Sequence, residues 1–241
     1  MFATMIKFEL KNILREKITM IMVLYPVFLG IIGNLLIHYE VVYGQGLQIT
    51  AIMITLLAGF AFGAMGSFSL LDDRDDQVLL SIQITPVPLE WYIWFKVCFT
   101  YVLALFAGLF LIWFTGVLEL SFVKIFAVAA LSALQVPFVM FIVNSFSENK
   151  VEGFMAMKAL GFLLIFPVAG FFFLDAVEWV FAVAPASWPA KAMQYVMLEP
   201  LIEAGFVEMN LGFYGYVGLG FAYSIFLAGL SYILFRRKNF L

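Results

Sequence analysis

The chain of 241 residues has one cysteine, Cys98, and one histidine, His38. A single cysteine excludes an internal disulfide, and this pair is too few for a His/Cys metal or catalytic cluster. Nothing reads Gly-x-x-x-x-Gly-Lys-Ser/Thr, so no segment is built to cradle a nucleotide triphosphate. Charged residues make up only 12% of the chain. The acids of Asp72, Asp73, Asp75 and Asp76 crowd one loop, but they lack the glycine and closing glutamate of an EF-hand. An intramembrane hydrolase would need a nucleophile with a base, or paired acids, within its apolar segments, and none is seen.

What is present is apolar. Hydrophobic residues make up 65% of the chain and the mean hydropathy is +1.06, against about 45–50% apolar in soluble domains. This composition predicts an all-α integral membrane protein in one transmembrane unit, residues 1–241. Its six spans are expected near 18–38, 47–71, 92–118, 124–147, 153–174 and 209–235. Residues 1–17 read as an interfacial amphipathic helix on anionic lipid, with Lys7, Lys11 and Arg15 on one face and Phe8 out of pattern.

The middles of the spans carry no ionisable side chain, since Lys96 and Lys158 lie near span ends and can snorkel. Small pairs, Gly59 with Gly63, Ala104 with Gly108, Ala129 with Ala133 and Gly218 with Ala222, permit close helix crossing. Gln135 beside Pro137 marks a hinge in the fourth span, and Pro167 lies inside the fifth. Eleven cations fall on the side that holds both termini, and only Lys124 and Lys191 on the other. That bias predicts cytoplasmic termini in the cell membrane, with the loops at 72–96 and 147–153 on the same side. The long outer connection, 175–208, suggests an amphipathic helix from Asp175 to Val183 and a second helix capped by Ser187 and running to about Glu199. Trp179, Trp188 and Tyr195 suit an interfacial depth there.

The stretch 71–96 is the most charged break in the chain. Its acids are expected just before and within the first turn of a short helix, where the dipole favours them. Val78, Leu79, Leu80 and Ile82 supply an apolar stripe, and Thr85-Pro86-Val87-Pro88 ends the helix after roughly ten residues. Such a stripe exposed to water needs a partner.

These residues resemble the type-two permeases of ABC exporters. The likeness rests on Asp73-Arg74-Asp75, the short helix, Thr85-Pro86, then Tyr92 and Lys96. It extends to Glu148-Asn149-Lys150-Val151-Glu152-Gly153 followed by Lys158, and to Pro185 with Trp188. At Gln77 the chain departs from the family, which often has glycine. The resemblance implies a six-span drug-export subunit, paired as a homodimer or with a close paralogue and surrounded by lipid. This chain would bind no cofactor and no nucleic acid, and would not itself be an enzyme. ATP and Mg would be held by a separate ABC ATPase. On this reading Asp73, Arg74, Asp75, Asp76, Val78, Leu79, Ile82, Thr85 and Pro86 form the ATPase-coupling segment, supported by Glu148, Lys150 and Glu152. Without charge in mid-span, an amphiphilic or hydrophobic cargo is expected. A non-transporting scaffold or sensor has the same composition and is the alternative.

Overall fold

The computed structural model describes residues 2–116 and 121–239. The expected end of the third span at Leu118 and the turn through Glu119 lie outside them. The described residues form helices and turns, with no strand among them. Six helical stretches are long and apolar enough to cross a membrane.

Helix α1 (Phe2–Arg15) meets α2 (Lys17–His38) at Glu16, whose extended backbone turns the chain from one helix into the other. Helix α3 (Gln45–Asp75) is the central post. It packs on α2, on α5 (Leu89–Thr115), and on both halves of the fourth span, α6 (Phe122–Ala133) and α7 (Gln135–Phe146). It also meets α8 (Lys150–Gly161). A side chain would not fit where the helices cross most closely. A Cβ on Gly59 would run into the Ser132 carbonyl, and one on Gly63 into Val139. The predicted pair Gly59 and Gly63 thus forms the seam of α3 against the fourth span, Gly59 facing the end of α6 and Gly63 facing α7. Gly218 differs from the expectation, because it faces open space. Gly220 is the close-packed residue of that helix, against Trp188 and Leu131.

The fourth span is interrupted at Leu134, beside Gln135. Pro137 has no N–H for the Ala133 carbonyl, which loosens the ladder at that turn. Gln135 Nε2 donates to the Ser132 carbonyl at 3.2 Å and to the Leu56 carbonyl at 3.4 Å, so a side chain stitches the break to α3. The fifth span is also broken. A 3₁₀ turn (Phe162–Leu164) separates α8 from α9 (Ile165–Phe171), which contains Pro167.

Beyond α9, two expectations about the long connection are corrected. Only α10 (Glu178–Phe181) is helical in the stretch expected from Asp175 to Val183. Helix α11 (Ser187–Glu203) starts after Ala186 and continues through Pro200, past the expected end at Glu199. Ser187 is not its cap, because its Oγ donates to the Phe181 carbonyl at 2.6 Å. Trp188 is a core residue rather than an interfacial one: it is buried, and its Nε1 donates to the Ala182 carbonyl at 3.0 Å. The reason is that the first half of α11 inserts among α3, α6, α9 and α12 (Phe213–Asn239). A buried ion pair anchors it. Lys191 lies 3.1 Å from Glu178, which also accepts from Asn210 and from the Tyr216 hydroxyl, each at 2.8 Å.

Gly63→Val is expected to lower the melting temperature of the solubilised protein, since overpacking a tight seam costs about 1–3 kcal/mol. Gly218→Val, in open space, is expected to leave it unchanged.

Candidate functional site

At the end of the bundle that carries α1, the last turn of α3 holds Asp72, Asp73 and Arg74. Consecutive helical residues point about 100° apart, so the three side chains reach three different neighbours. Asp72 lies 2.7 Å from Lys150 Nζ on α8, and the same Nζ is 2.5 Å from Glu16 at the α1–α2 joint. Asp73, 6% exposed, pairs with Lys96 of α5 and accepts from the Tyr92 hydroxyl at 2.7 Å. Lys96 is 3.3 Å from Glu9 of α1 and donates to Ser69 Oγ at 2.8 Å. Arg74 donates to the Ser147 carbonyl at 3.0 Å and to Asn239 Oδ1 of α12 at 2.6 Å.

The sequence reading placed these acids at the start of a short helix, where the dipole would welcome them. They end the long helix α3 instead, at its negative pole. Repulsion from that pole is offset by the cations that converge on it, which is why Lys96 and Lys150 point to this turn from other helices. Arg74 does not pair with a neighbouring aspartate by hydrogen bond; it ties the α7–α8 loop to α12.

The short helix α4 (Val78–Gln83) follows, with six residues where about ten were expected. Gln77 separates it from α3 in the left-handed conformation, φ 58°. That is the geometry glycine adopts without strain, and Gln77 is the position where the resembled family often has glycine. Thr85 closes the far end: its Oγ1 donates to the Ile82 carbonyl at 2.7 Å and accepts from the Val87 N–H at 3.3 Å. Pro86 and Pro88 prevent any further helical turn. Val78, Leu79 and Ile82 are half-buried, with Leu79 packed on the bundle core. Leu80 and Ile84 are the exposed apolar side chains, Ile84 at 89%. Asp75 and Asp76 are exposed beside them.

Glu152 is the third residue of α8 and binds its own helix start. It accepts from the Glu148 N–H at 2.8 Å and from Asn149 Nδ2 at 2.9 Å, while Asn149 Oδ1 accepts from the Glu152 N–H at 3.1 Å. Glu148 itself is exposed. The structure therefore brings Asp73, Arg74 and Lys150 into one network and keeps Glu152 as a cap for the helix that presents Lys150.

Four members of this network went unread in the sequence: Glu9, Glu16, Ser69 and Asn239. A signal existed for two of them. Glu9 and Glu16 lie seven residues apart on one face of an otherwise cationic segment, where a buried counter-charge is the simplest account.

The family model described as "Fluoroquinolones export permease protein Rv2686c-like" matches residues 9–232. The chain belongs to this family. It is also similar to the Fluoroquinolones export permease proteins MT2760 and Rv2686c of two Mycobacterium tuberculosis strains, CDC 1551 / Oshkosh and ATCC 25618 / H37Rv. Identity to each is 27% over 160 residues, or 64% of this chain. The matched part takes in 60% of each relative's length. The resemblance of the charged motifs to ABC-type drug-export permeases stands with this family. The family match spans α3 to α8 in full, with Asn239 outside it.

Asp73→Asn leaves Lys96 buried without its nearest counter-charge, and is expected to cost about 3–5 kcal/mol of stability. Glu9 behaves differently. Burial, ahead of the opposing pull of Lys96, holds its carboxyl above the ordinary value of 4.5. Its contribution to docking α1 is therefore full below that value and is lost as pH rises through the raised one. Glu9→Gln is expected to flatten this dependence in melting curves recorded against pH, with no loss of stability at neutral pH.

Proposed function

We propose that this chain is the transmembrane subunit of an ATP-driven exporter of amphiphilic or hydrophobic drug-like molecules. Both termini and α4 face the cytoplasm, and a separate ABC ATPase binds ATP and Mg. A second permease copy, identical or closely related, completes the pathway within the lipid bilayer. The distribution of cations, eleven at the α1 side and two at the other, supports this orientation.

One observation carries the reading: α4 hangs below a fixed charged turn with Leu80 and Ile84 directed away from the bundle. Apolar side chains exposed on a short helix in water suit a protein groove. On this reading Leu80 and Ile84, with Asp75 and Asp76 beside them, touch the ATPase. Val78, Leu79 and Ile82 seat the helix on its own bundle. Asp73, Arg74 and Lys150 carry displacement of α4 to α5, α12 and α8, and Glu152 keeps Lys150 in place. Drug export is the activity named for the relatives, and the mild polarity of the mid-span residues is consistent with a cargo of that kind.

In a Cys98→Ser background, single cysteines at positions 80 and 84 are expected to cross-link to the ATPase subunit, and those at 78 and 82 to react poorly. An active complex with no cross-link at either 80 or 84 would sink the docking assignment. Lys150→Gln is expected to reduce drug-stimulated ATP hydrolysis severalfold while equilibrium drug binding stays at the unmodified level. Equal loss of both would argue for a structural role alone. A scaffold or sensor would show no ATP-dependent drug accumulation in inverted vesicles.

A further inference from the structure

Helix α1 joins the first span through Glu16, and the apolar stretch of that span opens at Thr19. It therefore lies at the membrane boundary, and its residues sort by face. Glu9 and Ile13 are buried against the bundle. Ile6, Leu10 and Leu14 are exposed apolar side chains, and Lys7, Lys11 and Arg15 are exposed cations. Residues four apart stay on one side of a helix, while each single step turns about 100°. The apolar trio is thus centred about 100° round from Glu9 and the cationic trio about 200°, nearly opposite the bundle. Phe8 stands outside both stripes, on the side of Asp76 and Val78. The acids are sorted as well. Those within residues 1–17, Glu9 and Glu16, both meet lysines of other helices, so no acid stands among the exposed described residues of α1.

We infer that the two outer stripes of α1 dock on anionic lipid, and that the charge of the membrane surface thereby sets how firmly α1 holds the turn before α4. An apolar stripe of this kind enters the boundary between headgroups and acyl chains, and cations beside it meet phosphate. A bilayer surface has no pocket, so exposure of the three cations is what the contact requires. A protein groove would have to match an apolar stripe and a separate cationic stripe at a wide angle to it. The edge of a bilayer presents hydrocarbon and phosphate in that arrangement without any special shape. The route to the turn is on the inner face of α1. Glu9 lies 3.3 Å from Lys96, which pairs with Asp73, and Glu16 shares Lys150 with Asp72. Seating α1 more firmly on the membrane therefore seats both lysine bridges to the last turn of α3. The inference needs only the membrane placement of the six spans, and it goes beyond the export reading, being separate from cargo and from the ATPase.

The test is backbone hydrogen exchange of the purified full-length chain in nanodiscs, of phosphatidylcholine alone or of equal parts phosphatidylcholine and phosphatidylglycerol. Protection of the α1 amides reports how rarely the helix leaves its docked state. Phosphatidylglycerol is expected to raise that protection by about fivefold per cation engaged, up to on the order of a hundredfold for all three. Exchange in the last turn of α3 and in α4 should slow with it. Lys7→Gln, Lys11→Gln and Arg15→Gln combined should remove the response from all of these segments. Arg237→Gln, an exposed cation of α12, should leave the response intact. Leu10→Ser should lower α1 protection in both lipid mixtures, because the apolar contact is indifferent to lipid charge. The combined variant alters exposed side chains, and a melting temperature in phosphatidylcholine equal to that of the unmodified protein verifies its folding. The inference is overturned if phosphatidylglycerol leaves exchange in α1 or in α4 of the unmodified protein unchanged, or if the combined variant keeps the response. Potassium phosphate added to phosphatidylcholine discs should not reproduce the protection; if it does, the cations bind a free anion and the lipid assignment falls. Protection confined to discs that hold a pair of copies would assign the face to a second permease copy and likewise overturn it. Because neither drug nor ATPase is present, failure here leaves the cross-linking result at positions 80 and 84 to decide the permease reading separately.

Discussion

Four carboxylates within five residues, three of them in the last turn of a helix, set the constraint on which this structure depends. A helix C-terminus already carries partial negative charge, and part of the turn is removed from water. The chain meets this by aiming Lys96 and Lys150 at it from two other helices, and by using Arg74 to bind backbone and amide oxygen on the far side. The counter-charges are therefore also the fasteners. Helix α3 cannot settle there without drawing in α1, α5, α8 and α12. A buried pair of this kind contributes little net stability against an apolar alternative, but it is costly to break, so it selects one arrangement over others.

The other end of the bundle repeats the principle on a smaller scale. Glu178 and Lys191 pair within the connection between the fifth and sixth spans, and Asn210 and Tyr216 bind the same carboxylate. Between the two ends the bundle relies on close helix contact and on side chains such as Gln135 that satisfy interrupted backbone. Charge is concentrated where the bundle meets its surroundings, and the middle is left to packing. In that arrangement α4 is the piece held least by the core: six residues, fixed by a left-handed Gln77 at one end and by Thr85 with two prolines at the other.

Much of this was legible beforehand because bilayer physics leaves strong marks on sequence. Apolar runs give the spans, and the break beside Gln135 follows from proline chemistry. The seam at Gly59 and Gly63 follows from their spacing. The readings that went astray share one cause, which is that they depended on where an element sits against others. Acids beside a turn look alike whether they start the next helix or end the last one; only continuation of α3 through Asp75 settles it. Trp188 and Lys191 have the composition of an interfacial segment, yet they are buried because α11 inserts between spans. The apolar stripe of α4 is visible in the sequence, but that Val78, Leu79 and Ile82 are half-buried while Leu80, and Ile84 just beyond the helix, are exposed depends on which side the bundle occupies.

Sequence alone determined the class of molecule, the number of spans, the charge asymmetry and the family likeness carried by the motif at 72–96. Each of these is local or additive, set by transfer of side chains between water and hydrocarbon or by residue order. The tertiary structure decided the partners of the charges. Lys96 chooses Asp73 and Glu9, Lys150 chooses Asp72 and Glu16, and Arg74 passes over its neighbouring aspartates for Ser147 and Asn239. Pairing is a matter of three-dimensional distance between residues as much as 165 positions apart.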